Sequence, residues 1–383
     1  MIFDSFYTIR LIFLCFFTNS PQARFEAQII DNNIAIGYGL ALGDVDGDGK
    51  TDILLADKKQ FVWYRNGDWR RFVMIDSLTR YDNVCIAARD INGDGKVEVA
   101  VGAQWNPGET SNAAESGSVH YLVRPADPTQ LWKAVELHHE PTVHRMQWVK
   151  LSRDKYSLVV VPLHGRGNKG GEGEGVRVLA YQFPKDINGK WQIDTLEKTM
   201  HLTHNFDIVE DKDAATLYLG GKEGISVIQN DFKEFSRKVK KLQRMERGVG
   251  EIRVGKIKSG KNFVATIEPM HGDALVVYLN NLSERVLLDD NIKEGHALGV
   301  ADLLNAGSDQ VVVGWRSANK DGKVGIKLFT KKNAQGTEWE SIWIDENGMA
   351  CEDLKIGDLN GDGKPDIVAS GRATHNLKIY WNK

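Results

Sequence analysis

The sequence predicts an all-β fold, a seven-bladed β-propeller of four-stranded blades. Three observations predict it. An acidic, glycine-containing segment recurs along the chain, apolar strand-like runs sit at fixed offsets around each copy, and a strand-like segment near the N-terminus supplies what the last copy lacks. Asp44 to Asp52 reads DVDGDGKTD, and Asp90 to Glu98 and Asp358 to Asp366 repeat it almost letter for letter. Each copy leads into an apolar run: Ile53-Leu54-Leu55, Val97 to Val101 and Ile367-Val368-Ala369. With the first Asp as a marker, Asp302 opens a weaker copy before Val311-Val312-Val313-Gly314. Lys150, Glu210 and Lys256 hold the same place before Val159-Val160-Val161, Leu217-Tyr218-Leu219 and Phe263-Val264-Ala265. Seven units result, at a mean spacing of about 52 residues over the six intervals from Asp44 to Asp358, with no amphipathic helix between them; that period signals a propeller.

The outer strands follow in order. Trp69 to Asp76 closes the first unit, and Trp339 to Asp345 closes the sixth with the same pattern. After Asp358 the chain has room for three strands only, whereas Phe25 to Asp31 has the pattern of the missing fourth. An N-terminal strand that completes the last blade closes the ring and removes exposed sheet edges. Residues 24–383 are therefore expected to form a single propeller domain. Residues 1–23 read as a signal peptide: Leu11 to Phe17 is an apolar run far short of the about 20 residues that span a bilayer, and Ala23 offers a cleavage point. Cys15 follows Leu14 rather than a small residue, which argues against a lipoprotein anchor, so the expected location is periplasmic or secreted.

Composition excludes several classes. With 49 basic and 52 acidic side chains among 383 residues, the formal charge of -3 leaves no bulk field for nucleic acid or an anionic membrane surface. Hydrophobic content of 42% with 26% charged residues is that of an ordinary globular protein. Three cysteines, one of them in the leader, cannot staple a fold of this size.

In the first acidic loop Asp44, Asp46, Asp48, the Lys50 carbonyl and Asp52 stand at alternate positions, the oxygen-rich spacing that suits calcium. Asp90, Asn92, Asp94 and Glu98 repeat the scheme, as do Asp358, Asn360, Asp362 and Asp366. Asx-rich turns closed by their own hydrogen bonds are the other reading, and in both the role is structural.

Six residues before each marker, at the start of the innermost strand, the blades present Tyr38, Val84, His144, His204, Gly250, His296 and Glu352. His144, His204, His296 and Glu352 at one register suggest a divalent ion on the propeller axis: zinc, manganese or nickel by preference, calcium less naturally. A water-filled channel or direct substrate contacts are the alternatives. Fourteen residues after the marker stand Lys58, Gln104, His164, Met270, Arg316 and Arg372, with Lys222 close by in the fourth unit. Trp105, Arg145, Arg166, Lys169, His271 and Trp315 lie beside them. Guanidinium groups that grip a carboxylate and indoles that stack on a ring suit an anionic sugar. The glycine-rich stretch from Pro162 to Gly175 lacks the helix of a phosphate loop and reads as a mobile, substrate-contacting loop at the rim.

The acidic loops resemble those of calcium-binding FG-GAP or VCBS repeat propellers over nearly the whole of residues 24–383. The pairs His144-Arg145 and His164-Gly165-Arg166 in such a propeller resemble a carbohydrate-active family that attacks L-rhamnose-α-1,4-D-glucuronate termini of arabinogalactan and gum arabic. The propeller is also similar to that of fungal aldos-2-ulose dehydratase. Members of the family act as α-L-rhamnosidases through a posterior histidine or as rhamnose–glucuronate lyases on the anterior face. No histidine precedes His120, and no pair of glycosidase carboxylates stands out, so the resemblance implies the lyase. The expected site has His164 as base, Arg166 or Arg145 neutralising the uronate carboxylate, and His271 as reserve acid or base. Lys58, Gln104, Trp105, Lys169, Lys222, Trp315, Arg316 and Arg372 would bind substrate, and an acidic plant polysaccharide would be the partner. An α-L-rhamnosidase and a non-catalytic glycan-binding propeller are the competing expectations.

Overall fold

The computed structural model describes residues 24–152, 155–231, 236–258 and 260–383. The leader expected over residues 1–23, with its apolar run and Ala23, lies outside the described residues. The described residues form seven four-stranded antiparallel sheets, with no helix among them. The innermost strands, in blade order, are Gly39–Gly43, Cys85–Arg89, Val143–Ser152, Thr203–Glu210, Ile252–Lys256, Gly295–Ala301 and Cys351–Gly357. Blade seven runs outward through Asp366–Gly371 and Asn376–Asn382 and is completed by Phe25–Asp31, with Phe25 opposite Asn382 and Ile29 opposite Lys378. The closure expected from the permuted strand is present. Asp31 also ties this strand to blade one, accepting a 2.7 Å hydrogen bond from the Tyr64 hydroxyl.

The core is not one body but seven. An apolar cluster fills each boundary between neighbouring blades: Leu54, Trp63 and Met74 of blade one meet Val99, Val101 and Leu122 of blade two, and the pattern continues round the ring. The inner strands are buried on both faces, which is why runs such as Val311-Val312-Val313 are continuous rather than alternating. Each fully buried Val, Leu or Ile contributes about 1.5–3 kcal/mol. Cys85 and Cys351 are free thiols inside these clusters.

The acidic loops join the first and second strands of blades one, two, six and seven. Asp44 accepts the amides of Gly47 and Gly49, Asp90 those of Gly93 and Gly95, and Asp358 those of Gly361 and Gly363. Those glycines adopt φ between +75° and +84°, so the turn is one that L-residues resist. The last acid of each loop departs from the ligand scheme. Asp52 takes the Val45 and Asn66 amides, Glu98 the Ile91 amide and the Asn92 side chain, and Asp366 the Leu359 and Asn382 amides. These three carboxylates are buried and bolt the loop to the blade, each oxygen accepting one hydrogen bond.

His120 lies in the third strand of blade two (Ser118–Val123), 7% exposed, and its Nδ1 has no hydrogen-bond partner. Burial pulls its pKa down from 6.5 to about 4. Between those values the unfolded chain binds a proton that the folded chain refuses, so this contribution to stability is complete above pH 6.5 and is lost as the pH falls to 4. The shift amounts to about 3 kcal/mol. Urea unfolding of wild type and His120→Gln across that window should show the difference in their stabilities changing by this order; parallel pH profiles would refute it.

Candidate functional site

The site is created by a break in the strand ladder. In blades three, four, six and seven the pairing of the innermost strand slips at its first residues, between Val143 and Arg145, Thr203 and Phe206, Gly295 and Ala297, and Cys351 and Asp353. The residues within these bulges are His144, His204 with Asn205, His296 and Glu352. In blades one, two and five the paired strand begins only after Tyr38, Val84 and Gly250, and in blade five the amide of Gly250 and the carbonyl of Glu251 both bond Ile267. A bulge re-aims side chains at the end of a strand, and here it turns the titratable residue toward the axis. Beyond the bulge the parity has changed. The channel wall is built from residues five and three before the marker, Arg253 of blade five included, rather than from the residues expected by simple alternation. That channel, about 390 Å³, is lined among others by Arg145, Gln147, Asn205, Asp207, Arg253 and Lys355.

At its anterior mouth His204, His271 and His296 each place a ring nitrogen within 4.8 Å of the other two. His204 is fully buried and His296 nearly so. His271 stands on the loop after the second strand of blade five, its φ of +52° turning the backbone so that its Nε2 comes 2.9 Å from that of His204. His296 donates its Nδ1 proton to the Glu352 carbonyl at 2.6 Å, which leaves Nε2 bare. Burial first, and the neighbouring guanidinium groups after it, hold His296 well below the ordinary histidine range. Burial also lowers His204. His271 is open on its outer side but desolvated on its channel side; with His204 beside it, its pKa falls to about 3. All three are neutral donors, the form that ligates a divalent ion.

Two expected ligands are held otherwise. His144 gives Nδ1–H to the His204 carbonyl at 2.9 Å, while Arg145 Nη1 lies 3.2 Å from its Nε2, so neither nitrogen faces the other imidazoles freely. Glu352, 2% exposed, is clamped by Arg316 at 3.1 Å and Arg372 at 3.2 Å. His271, expected as a reserve acid or base, takes the place left in the cluster. The carboxylate that the register did not show is Glu251, one residue past Gly250 and 2% exposed. Its Oε1 faces His204 Nδ1 at 3.2 Å, and neither atom has a hydrogen-bond partner. Its Oε2 accepts from Asn205 at 2.5 Å, with Arg253 3.6 Å away. Burial alone would raise Glu251; His204, Arg253 and Arg145 outweigh it and keep the carboxylate ionised.

Four guanidinium groups, Arg145, Arg253, Arg316 and Arg372, thus surround two carboxylates, Glu251 and Glu352. Arg316 also lies 3.7 Å from Glu294, and Asp207, Asp353 and Lys355 continue the charged lining along the channel. The Nε of Arg316 is buried without a hydrogen bond. Trp105 stacks on His144 with ring centroids 5.1 Å apart and stays partly open.

His164 follows the second strand of blade three, pairing with Leu202 at the blade-four boundary, and is half-buried; its Nδ1 has no partner and desolvation lowers its pKa. Arg166 turns away from the axis. Together with Arg177 it neutralises Glu140, which is 4% exposed. A buried carboxylate needs such partners, so Arg166 does not serve a substrate carboxylate. Trp315 is also displaced from its expected role. It is fully buried between blades five and six, donates to the Lys323 carbonyl and packs on Trp343, so it cannot stack on a sugar. Gln104 links the Tyr81 amide to the Ala114 carbonyl. Lys58, Lys169 and Lys222 are exposed at the rim, and Lys222 reaches across to the Gly170 carbonyl. The glycine-rich stretch is a folded loop rather than a free one: buried Asn168 holds the carbonyls of Glu174 and His201 and the amide of Gly171. Beside it His201 and Glu223 form an imidazole–carboxylate pair at 2.8 Å that the registers did not reveal.

In the first acidic loop Asp44, Asp46 and Asp48 bring carboxylate oxygens within 4.8 Å of one another, close enough to share a cation. Among the described residues the other acidic loops form no such group.

Comparison with known proteins agrees with the repeat reading. Residues 44–101 match the FG-GAP-like repeat and residues 86–122 the FG-GAP repeat. Residues 116–281 match the β-propeller domain of aldos-2-ulose dehydratase. No curated protein matches the sequence. Among solved structures, a chain of the mitotic checkpoint complex is similar at a TM-score of 0.57 and 11% identity, covering 99% of this chain and 97% of that one. The chain of a crystal structure of BBS1N in complex with ARL6DN, soaked with mercury, is similar at 0.59 and 12%, covering 94% and 98%. At such identities these two establish the fold alone. The chain is thus a seven-bladed propeller with FG-GAP repeats and a central segment of the aldos-2-ulose dehydratase propeller type.

Proposed function

We propose that the protein is an exported carbohydrate-active lyase that cleaves L-rhamnose-α-1,4-D-glucuronate termini of acidic plant polysaccharide by β-elimination. The observation that carries this reading is the axial mouth: neutral imidazoles beside four guanidinium groups, two of which, Arg145 and Arg253, stand 3.9 and 3.6 Å from Glu251 rather than clamped to it. The match to a dehydratase propeller supports it, because dehydration and uronate cleavage both break a C–O bond by elimination. Those guanidinium groups suit a uronate, and a partly open indole beside them suits a sugar ring.

The chemistry follows from the residues. Arg145, whose nearest carboxylate Glu251 is 3.9 Å away, pairs with the uronate carboxylate and so stabilises the negative charge that develops when C5 loses its proton. His164, neutral because it is desolvated, accepts that proton. The C5–H electrons form the C4–C5 double bond, the C4–O4 bond breaks, and O4 leaves with rhamnose, protonated from water or from His164. A divalent ion held by His204, His271 and His296 would supply further positive charge at the carboxylate. Trp105 and the rim lysines Lys58, Lys169 and Lys222 hold the flanking glycan.

The test is incubation with gum arabic arabinogalactan, with and without chelator. Free rhamnose together with an ultraviolet-absorbing unsaturated uronate is expected. Rhamnose with saturated glucuronate would make the protein a rhamnosidase, and binding with no product would make it a lectin-like propeller; either outcome overturns the proposal.

A further inference from the structure

We infer that Glu251 is the positioning residue of the axial cluster, fixing the proton of His204 on Nδ1, and that the cluster takes a nitrogen-ligated transition ion rather than calcium. The inference rests on the axial site of the preceding reading but not on its substrate. Three features of the geometry converge on it. Glu251 Oε1 and His204 Nδ1 face each other at 3.2 Å, both buried and neither with a hydrogen-bond partner. Glu251 is itself held in place by Asn205, with Arg253 and Arg145 3.6 and 3.9 Å away, so the carboxylate has a fixed aim. On the far side of the ring, His204 Nε2 approaches His271 Nε2 at 2.9 Å.

A carboxylate facing Nδ1 selects the tautomer with the proton there and leaves Nε2 as a lone pair directed into the cluster. The backbone carbonyl of Glu352 does the same for His296 at 2.6 Å. Two of the three imidazoles are therefore preset with Nε2 bare, and Nε2 atoms of His204 and His271 at 2.9 Å require a proton or a cation between them. The donor set decides which cation. Calcium wants six to eight oxygens. The carboxylate expected as a ligand, Glu352, is instead bound by Arg316 and Arg372, and Glu251 supports His204 from behind. What remains is an imidazole set, which suits zinc, nickel or cobalt. The acidic loop at Asp44, Asp46 and Asp48 lies at the opposite end of the innermost strand and offers oxygen only, so the two places differ in chemistry.

The test strips the purified full-length protein with chelator and titrates it with Co²⁺, Zn²⁺ and Ca²⁺ by calorimetry, with visible absorption recorded for Co²⁺. Wild type should bind Co²⁺ and Zn²⁺ at a site that His204→Ala removes, and Co²⁺ should give ligand-field bands. Any calcium isotherm should be unchanged by His204→Ala. Glu251→Gln should weaken Co²⁺ binding by about 10–100-fold and shift its bands, the usual cost of losing a carboxylate behind a ligating histidine. Because Glu251→Gln also leaves Arg145 and Arg253 short of a counter-charge, Glu251→Asp is the companion: it keeps the charge, withdraws it from His204, and should lose affinity with an unchanged thermal transition. Co²⁺ binding equal in wild type and His204→Ala, unchanged affinity in both Glu251 variants, or calcium displacing Co²⁺ at comparable concentration would overturn the inference. Metal binding as expected without unsaturated uronate would sink the lyase reading and leave this one standing. Uronate formation with Glu251 variants of undiminished affinity would do the reverse.

Discussion

His164→Ala is expected to lower kcat for release of unsaturated uronate by about 10²–10⁴-fold while leaving glycan affinity nearly intact, the usual range for removal of a general base. The expectation comes from its environment. Desolvation keeps the imidazole neutral, its Nδ1 is buried without a partner, and its backbone is fixed by the Thr142 hydroxyl and by pairing with Leu202, so truncation disturbs little else. Arg166→Ala separates local structure from chemistry. It should destabilise the rim by exposing the charge of Glu140 yet change kcat far less than His164→Ala. Product formation followed by ultraviolet absorbance, beside glycan binding by calorimetry, reads both quantities. Equal kcat in wild type and His164→Ala would remove His164 from the mechanism.

Trp315→Ala should unfold the protein more easily, by about 3–5 kcal/mol, which is the cost of deleting a large buried aromatic side chain. Trp315 has no exposed surface, lies in the cluster between blades five and six with Phe263, Leu279 and Trp343, and donates its indole N–H to the Lys323 carbonyl. Its loss leaves a cavity and an unpaired acceptor together. Trp105→Ala should behave in the opposite way, with modest change in stability and a raised KM, because Trp105 is partly open and stacks on His144. Urea unfolding with KM measured on both variants distinguishes the two indoles. A raised KM for a stably folded Trp315→Ala would return that residue to the binding surface.

The fold was legible because the repeat is. Asp44, Asp90 and Asp358 mark the same turn in three blades, and Phe25 to Asp31 completes the seventh as its pattern implied. The site was legible only up to the point where local geometry departs from a regular strand. The register picked out His144, His204, His296 and Glu352 correctly as residues at one end of the inner strands, but the bulge that turns them inward also shifts the rest of each strand by one position. Glu251 escaped because it stands five residues before its marker, at the offset of Arg145 and Asn205, whereas the register followed the sixth. Glu352 and Arg316 were each found, yet no sequence pattern shows that they bind each other. Trp315 and Arg316 are adjacent, so alternation sends one into the core and the other to the mouth, and the tryptophan should have been read as buried. The buried acids Asp52, Glu98 and Asp366 look like ligands in sequence because the same oxygens can serve a backbone amide or an ion.

Joining Phe25–Asp31 to Asn376–Asn382 has a consequence in time. The strand made first must wait for the strand made last, so the ring cannot close while the chain between them is still growing. Earlier blades can assemble in sequence, since each meets its neighbour through contacts close in the chain. Closure instead pairs residues almost a full chain length apart and carries the slow step typical of distant strand pairing. Until that step the third strand of blade seven presents an open edge, and the axial mouth, shaped by all seven innermost strands, is not yet a mouth. Completion of the final blade and assembly of the site are thus a single event.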